Sequence, residues 1–295
     1  MYLLHFFAGA RREGDLQDEF QKITTSWPVG VWVISLDIAN DPIKGDLSKI
    51  DNLLFWARAM MAGKVAGFWT GPPCETWSQA RARRTTSCRG PPPRPLRTTS
   101  TPWGLRDLAP REAKQVEVGN ALLRSTIYFL FVAQSLEIPG VMEHPAPPFR
   151  PGAPSAWALP EMAYLATMRG VRSALLDQCV FGAPSVKPTQ LLTVHLPHLG
   201  DAIRASRNAG RCFHGPRAHE TLEGLELDGE WRTSRAKAYP PGLCRIAARS
   251  YVDAFRLRWP HTWGQEANFV EDEYLAFWQP LDPFLVRQIG RDFAG

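Results

Sequence analysis

Residues 64–78 read KVAGFWTGPPCETWS. Lys64–Thr70 is a short, largely apolar run, and Gly71-Pro72-Pro73 stops it. Such a run closed by chain breakers is a buried strand running out into a loop. Cys74 therefore stands just past the carboxyl end of a strand. Working outward, the same pattern recurs. Tyr2–Phe7 is an apolar run ending in the small residues Ala8-Gly9-Ala10, a strand followed by a tight turn. Val29–Asp37 (VGVWVISLD) is a second buried strand that closes on an acid, and Asn52–Ala62 has helical spacing. Downstream, Pro110-Arg111-Glu112 opens a helix that runs to about Leu136, with Pro before an acid in its first turn. Gly140–Glu143 (GVME) is a short strand stopped by Pro145. Pro160–Met168 reads as helix, Ala174–Phe181 and Gln190–Val194 as strands. Residues 200–238 read as irregular, and Leu243–Leu257 as an amphipathic helix entered through Pro240-Pro241-Gly242.

Strands alternating with helices predict a doubly wound, Rossmann-like α/β sheet, in which ligands sit at the carboxyl ends of the strands. Gly9, Asp37, Cys74 and Glu143 all fall at such ends. Only seven residues separate Asp37 from Gly45, so a third strand is very short or absent.

The chain has 295 residues, 44% of them hydrophobic, enough for one large core or a core with a small lobe. With 21% charged residues, disorder of the whole chain is excluded. The net charge of +5 mildly favours a polyanionic partner. Its distribution says more: between Thr76 and Arg106 there is no acid, while seven arginines occur (81, 83, 84, 89, 94, 97 and 106). Residues 79–109 are thus expected to form a basic loop. Five widely spaced cysteines are not a disulfide framework and point to an intracellular, reducing compartment, the nucleus included. The N-terminus has no basic region of the signal-peptide kind, and the longest apolar stretch, Ile127 to Ala133, is too short to cross a bilayer, so no membrane partner is expected. There is no GxxxxGK[ST] phosphate loop, which argues against an NTPase.

The first strand ends give the outline of a nucleoside site. Phe7 and Gly9 lie in a turn where backbone can approach a ligand closely. Asp37 is placed to accept ribose hydroxyls. In Gly45-Asp46-Leu47, Asp46 can accept from an adenine amino group. Together, Phe7, Gly9, Asp37, Asp46 and Leu47 are the candidate adenosyl pocket.

The segment Gly71-Pro72-Pro73-Cys74-Glu75-Thr76-Trp77-Ser78 resembles the Pro-Cys motif of cytosine-C5 methyltransferases, usually PPCQxFS. Met142-Glu143-His144-Pro145 stands where that family has Glu-Asn-Val. Gln178-Cys179-Val180-Phe181-Gly182 with Lys187-Pro188-Thr189 resembles the QxxxG…KPT segment of phage-type relatives. Ala238-Tyr239-Pro240-Pro241-Gly242-Leu243 resembles the last motif, a turn into a helix packed beside the first strand. The order over residues 2 to about 257 also resembles dinoflagellate proteins often found near retroelements. The family's QxRxR, its final Gly-Asn and its Asn-Val after the Glu are altered here.

The resemblance implies methyl transfer from S-adenosylmethionine to cytosine C5 in DNA. Cys74 would be the nucleophile at C6, and Glu143 would grip N3 and the exocyclic amine, raising the electrophilicity of C6. RNA as substrate, or a degenerate domain that binds nucleic acid without turnover, are the alternatives. Ser78, Arg81, Arg83, Arg84 and Lys187 are the expected nucleic-acid contacts, because an extruded base needs a backbone grip beside the pocket. His144 is expected to orient Glu143.

The expected organisation is a catalytic domain over 1–194 carrying the 79–109 loop, a small irregular target-recognition segment over 195–238, a returning helix over 239–257, and an aromatic tail over 258–295 packing on the body. A monomer is expected. Cys212, His214 and His219 form a C-x-H-x4-H spacing that could seat zinc. The spacing shows no fourth ligand, Cys179 and Cys244 being the two choices, and no metal is assigned.

Overall fold

The strand β3, Val65–Thr70, is buried at every position, as a strand with helices on both faces must be. It lies near the middle of a six-stranded sheet in the computed structural model, which describes residues 1–26, 30–82, 93–215, 218–220, 222 and 232–258. The other strands are β1 Tyr2–Phe6, β2 Trp32–Leu36, β4 Gly140–Pro145, β5 Val171–Asp177 and β6 Pro188–Val194. The sheet order is β2-β1-β3-β4-β6-β5. β1 to β4 run parallel, and β6 runs antiparallel to both its neighbours.

Six helices cover the sheet: α1 Leu16–Ser26, α2 Ile50–Met61, α3 Pro110–Leu136, α4 Pro160–Ala166, α5 Pro197–Ala205 and α6 Pro241–Arg258. The alternating pleat of β1 divides the core. Leu4 and Phe6 face α2, α3 and α4, where Phe6 stacks on Phe129 at 4.7 Å. Leu3 faces the other layer, with Leu16 and Phe20 of α1, Leu199 and Ile203 of α5, and Leu243, Ala247 and Tyr251 of α6. The fold is therefore a mixed α/β sandwich of three layers. α3 is 27 residues long and apolar enough to span a bilayer by length and composition, but Leu122, Leu123, Phe129 and Leu130 are buried on the sheet.

Between Asp37 and Lys49 no strand forms. The chain instead makes consecutive turns, with Asp41 N–H donating to the Asp37 carbonyl and Gly45 N–H to Asp41, both at 2.9 Å. Gly45 has to be glycine: a Cβ there would lie 2.4 Å from the Asp37 carbonyl oxygen. This is the shortened connection that the seven-residue spacing predicts.

Three readings need correction. Residues 197–205, expected to be irregular, form α5 and belong to the body, because Leu199 and Ile203 are four apart and bury on the sheet. The strand expected over Ala174–Phe181 runs from Val171 to Asp177, and Gln178–Phe181 is a 3₁₀ turn. The layer of α5 and α6 also contains α1, which the polar sequence LQDEFQKITTS conceals although Leu16, Phe20 and Ile23 keep helical spacing. The tail beyond residue 258 lies outside the described residues.

Candidate active site

Chain direction in the sheet reverses beside β1: α1 carries the chain to β2 on one side, and α2 returns it to β3 on the other. Such a switch point opens a crevice at the carboxyl ends of its strands. Gly9 follows β1 there, and Cys74 follows β3.

Register places the second reactive group. Thr70 pairs with Met142, so Gly71, one residue on, lies beside Glu143. Glu143 has the parity of Val141 and faces the α6 layer, whereas His144 faces the other. A Cβ on Gly71 would lie 3.2 Å from Glu143 Oε2 and 1.9 Å from the Tyr239 hydroxyl, so only glycine lets the loop pass this close. The Glu143 carboxylate is buried and receives three groups. Lys187 Nζ lies 3.4 Å from Oε1, Gln178 Nε2 donates to Oε1 at 3.4 Å, and Tyr239 Oη donates to Oε2 at 3.3 Å. Gln178 is held in turn by Thr189 Oγ1 at 3.1 Å, and the Thr189 hydroxyl donates to the Lys187 carbonyl. Lys187 adopts φ 35°, a left-handed conformation disfavoured for a side chain of this size and tolerated where surroundings over-determine it. Burial and the Glu143 charge push the Tyr239 phenol well above its usual range, so it remains a donor.

The Cys74 thiol is pushed up to about 11, first by burial. The Lys187 ammonium opposes this, while the Glu143 and Glu75 carboxylates add to it. At neutral pH Cys74 is therefore a protonated thiol, and the Glu143 charge is one of the groups that keep it so. Glu75 is itself paired with Lys237 at 2.5 Å. His144 is lowered to about 3 by burial and by the Lys187 and Arg97 charges, so it is neutral. Its ring lies between Trp77 and Trp157, edge-on to each at 6.1 Å, and it does not hydrogen-bond Glu143.

On the β1–β2 side, Phe7 and Gly9 both have positive φ, 58° and 68°. The position of a Cβ on Gly9 is open space. Asp37 Oδ2 accepts from Gly9 N–H and Oδ1 from Ala39 N–H, each at 2.9 Å, and Asn40 Nδ2 ties back to the Gly9 carbonyl. Ile38 and Ile43 leave 62% and 78% of their surface exposed beside this acid, an apolar patch able to receive a ring face. Asp46 Oδ1 caps Ser48 through backbone and hydroxyl. Leu47, expected at the adenine, is a core residue under α2 and α3, and its carbonyl accepts from Ser125 Oγ.

The residues expected to hold nucleic acid divide. Arg83 and Arg84 lie outside the described residues. Arg81 donates to the Glu75 and Arg94 carbonyls and to Gln115 Oε1. Arg94 is engaged by Glu112 at 2.7 Å and Asp107 at 3.1 Å. Arg97 is 1% exposed, with its guanidinium on Thr76, Asn120 and the Pro102 and Val116 carbonyls, and over the Trp77 ring at 4.4 Å. It lacks a carboxylate partner among the described residues, and burial lowers it to about 10. Arg97 thus ties the loop to the Pro-Cys segment from inside the protein. Ser78 and Arg81 line a cavity of about 190 Å³ with Pro95, Thr98 and Gly152. That is smaller than the roughly 300–1,000 Å³ of a drug-sized ligand site.

No protein-family profile and no curated protein matches the chain. Among solved structures, a methyltransferase of Entamoeba histolytica is similar over 67% of this chain at 9% identity, with a TM-score of 0.34. The chain spans about half of that protein, 53% of its length.

The site offers a desolvated thiol, a buried carboxylate with two neutral donors and one ammonium around it, and a separate acid-and-glycine turn across the switch point. Cys74 and Glu143 lie at neighbouring strand ends; Lys187, expected to hold nucleic acid, is instead turned onto Glu143, and Phe7, Gly9 and Asp37 form a second group. Gln178, Tyr239 and Ile38 complete the two groups and were not singled out from sequence. Gln178 and Tyr239 did lie in quoted motifs. The exposure of Ile38 has no signal in sequence.

Proposed function

We propose that the chain is an S-adenosylmethionine-dependent methyltransferase acting at C5 of cytosine in DNA through a covalent Cys74 adduct. The observation that carries this is the pairing of the Cys74 thiol with the buried, donor-clamped Glu143 carboxylate at adjacent strand ends. Attack at C6 of a pyrimidine needs a soft nucleophile, and it needs the ring nitrogen N3 to be held in a protonated or hydrogen-bonded state. Glu143 suits the second task, with Gln178 and Tyr239 fixing its plane. A proton shared between Glu143 and N3 neutralises the carboxylate charge that raises the Cys74 thiol, while Lys187 still lowers it. Base binding thereby favours the thiolate. The Cys74 thiol gives up its proton, which in net terms is the one shared between Glu143 and N3. The Cys74 Sγ–C6 bond forms, the C5–C6 electron pair becomes available at C5, and C5 takes the methyl group, the sulfonium sulfur keeping the electron pair of the broken S–C bond as a neutral thioether. Loss of the C5 proton and departure of Cys74 restore the ring.

The β1–β2 turn fits an adenosyl cofactor: a glycine with open space, an acid at Asp37 and an exposed apolar face at Ile38. S-adenosylmethionine, when bound, supplies an electrophilic methyl group. Asp37 would hold the ribose hydroxyls as an acceptor, and Ile38 would offer its exposed apolar face to the adenine ring. Ser78 would contact the phosphate backbone; Arg81, Arg94 and Arg97 are engaged within the protein, and Arg83 and Arg84, the other basic candidates, lie outside the described residues.

A duplex containing 5-fluorocytosine, incubated with the protein and S-adenosylmethionine, should trap a covalent adduct that peptide mapping assigns to Cys74. Fluorine at C5 cannot leave as a proton, so the adduct persists. Cofactor binding without any adduct on DNA or RNA refutes the reading. An adduct on RNA alone moves the substrate to RNA.

A further inference from the structure

Away from the candidate active site, Cys179, Cys212, His214 and His219 bring two sulfurs and two imidazoles to within 4.8 Å of one another. Cys179 comes from the 3₁₀ turn after β5, and the other three from the chain after α5. Cys212 Sγ lies 3.8 Å from His214 Nδ1 and 3.6 Å from His219 Nε2. Zinc bonds of about 2.3 Å to sulfur and 2.0–2.1 Å to nitrogen, at tetrahedral angles, set a sulfur–nitrogen edge of about 3.6 Å and a sulfur–sulfur edge of about 3.8 Å. The two Cys212 sulfur–nitrogen edges are close to this value, and all four ligand atoms lie within 4.8 Å of one another. Its backbone is fixed independently of the four side chains. Cys212 N–H donates to Asp177 Oδ2 at 2.8 Å, and Glu220 N–H donates to the Pro184 carbonyl at 2.9 Å. One anchor is the last residue of β5 and the other lies on the connection between β5 and β6, so the segment is docked on either side of the turn that supplies Cys179. Cys244, the other cysteine open as a fourth ligand, is buried in α6 with the core and is not in the cluster.

We propose that Cys179, Cys212, His214 and His219 form a closed, four-coordinate zinc site that clips the segment after α5 onto the β5–β6 connection. Four protein ligands leave no open position, so the site is structural. Binding releases the two thiol protons and leaves a neutral Zn(Cys)2(His)2 centre, with no redox change.

The test is metal content of the full-length protein purified from zinc-supplemented medium under reducing conditions. About one zinc per chain is expected, falling below about a tenth in Cys212→Ser and His219→Ala and unchanged in Cys244→Ala. To separate metal binding from folding of the ligand variants, wild-type protein is also stripped and titrated with cobalt(II). Intense visible bands of tetrahedral cobalt with a thiolate charge-transfer band are expected at about one equivalent. Wild type without zinc and without the cobalt spectrum overturns the proposal. So does zinc retained by a Cys212→Ser/His219→Ala double variant, or a Cys179–Cys212 disulfide in reduced preparations. None of these readouts depends on methyl transfer.

Discussion

The thiol of Cys74 gives the most direct access to the site's electrostatics. Burial and two carboxylates raise it from 9.0 to about 11. Two pH units leave about 100-fold less thiolate at pH 7.5 than an unshielded cysteine has. A more basic thiolate is also a better nucleophile. With a Brønsted slope of about 0.4–0.5 this returns a factor of about 6–10 toward a disulfide reagent. Cys74 should therefore react about 10–16-fold more slowly than a free thiol with a small neutral disulfide. Its rate should keep climbing to about pH 11 instead of levelling near 9. Residue-resolved mass spectrometry after timed quenching reads this directly. The variants carry the sign: Glu143→Gln removes a charge that raises the thiol and should move the midpoint down, and Lys187→Met should move it up. A wild-type midpoint near 9, or both variants moving it the same way, refutes the reasoning. Linkage has the same sign. The unfolded chain gives up this proton first, so the contribution of Cys74 to stability is complete below pH 9 and is lost as pH rises toward 11.

Three other outcomes follow from the geometry. Asp37→Ala should weaken S-adenosylmethionine binding by about 1.5–3 kcal/mol, the worth of hydrogen bonds to a charged group, and unchanged calorimetric affinity would remove the β1–β2 turn from the site. Arg97→Met should cost on the order of 3 kcal/mol in denaturant unfolding, because Thr76, Asn120 and two carbonyls lose their donor inside the protein, and a loss within 0.5 kcal/mol would show that the loop does not depend on it. Gly71→Ala drives a Cβ onto the Tyr239 hydroxyl. Overpacking of about 1–3 kcal/mol is expected in stability, with adduct formation falling further than that of Tyr239→Phe; full adduct yield in Gly71→Ala would contradict the packing.

Elements built from contiguous apolar runs were legible. β1, β3, α3 and β4 stand close to where Pro and Gly punctuate the sequence, and the missing third strand follows from a distance too short to hold one. α1 and α5 were not legible, because each buries one narrow stripe and shows polar residues elsewhere. At the site, Cys74 and Glu143 could be read because each lies near the carboxyl end of a strand, Cys74 just past β3 and Glu143 in the last part of β4. Tyr239 could not be placed at Glu143, because 96 positions separate them and only the packing of α6 on the sheet brings them together. Nor could the basic stretch be resolved: a run of arginines looks alike whether its members face solvent or, like Arg97, sit inside. The fourth member of the sulfur–imidazole cluster was undecidable for the same reason. Cys179 and Cys244 differ in where the fold carries them and not in any local pattern.

Tyr239 also sets an order in time. It closes over Glu143 from the start of the last described helix, roughly 165 residues after Cys74. At about 5–20 residues per second, a ribosome delivers it roughly ten to thirty seconds after the cysteine. Throughout that interval Cys74 is an ordinary solvated thiol on a nascent chain, open to oxidants and electrophiles. The folded protein leaves Cys74 only partly exposed, and the Tyr239 contact that closes over Glu143 beside it exists only once the chain leading into α6 has been made.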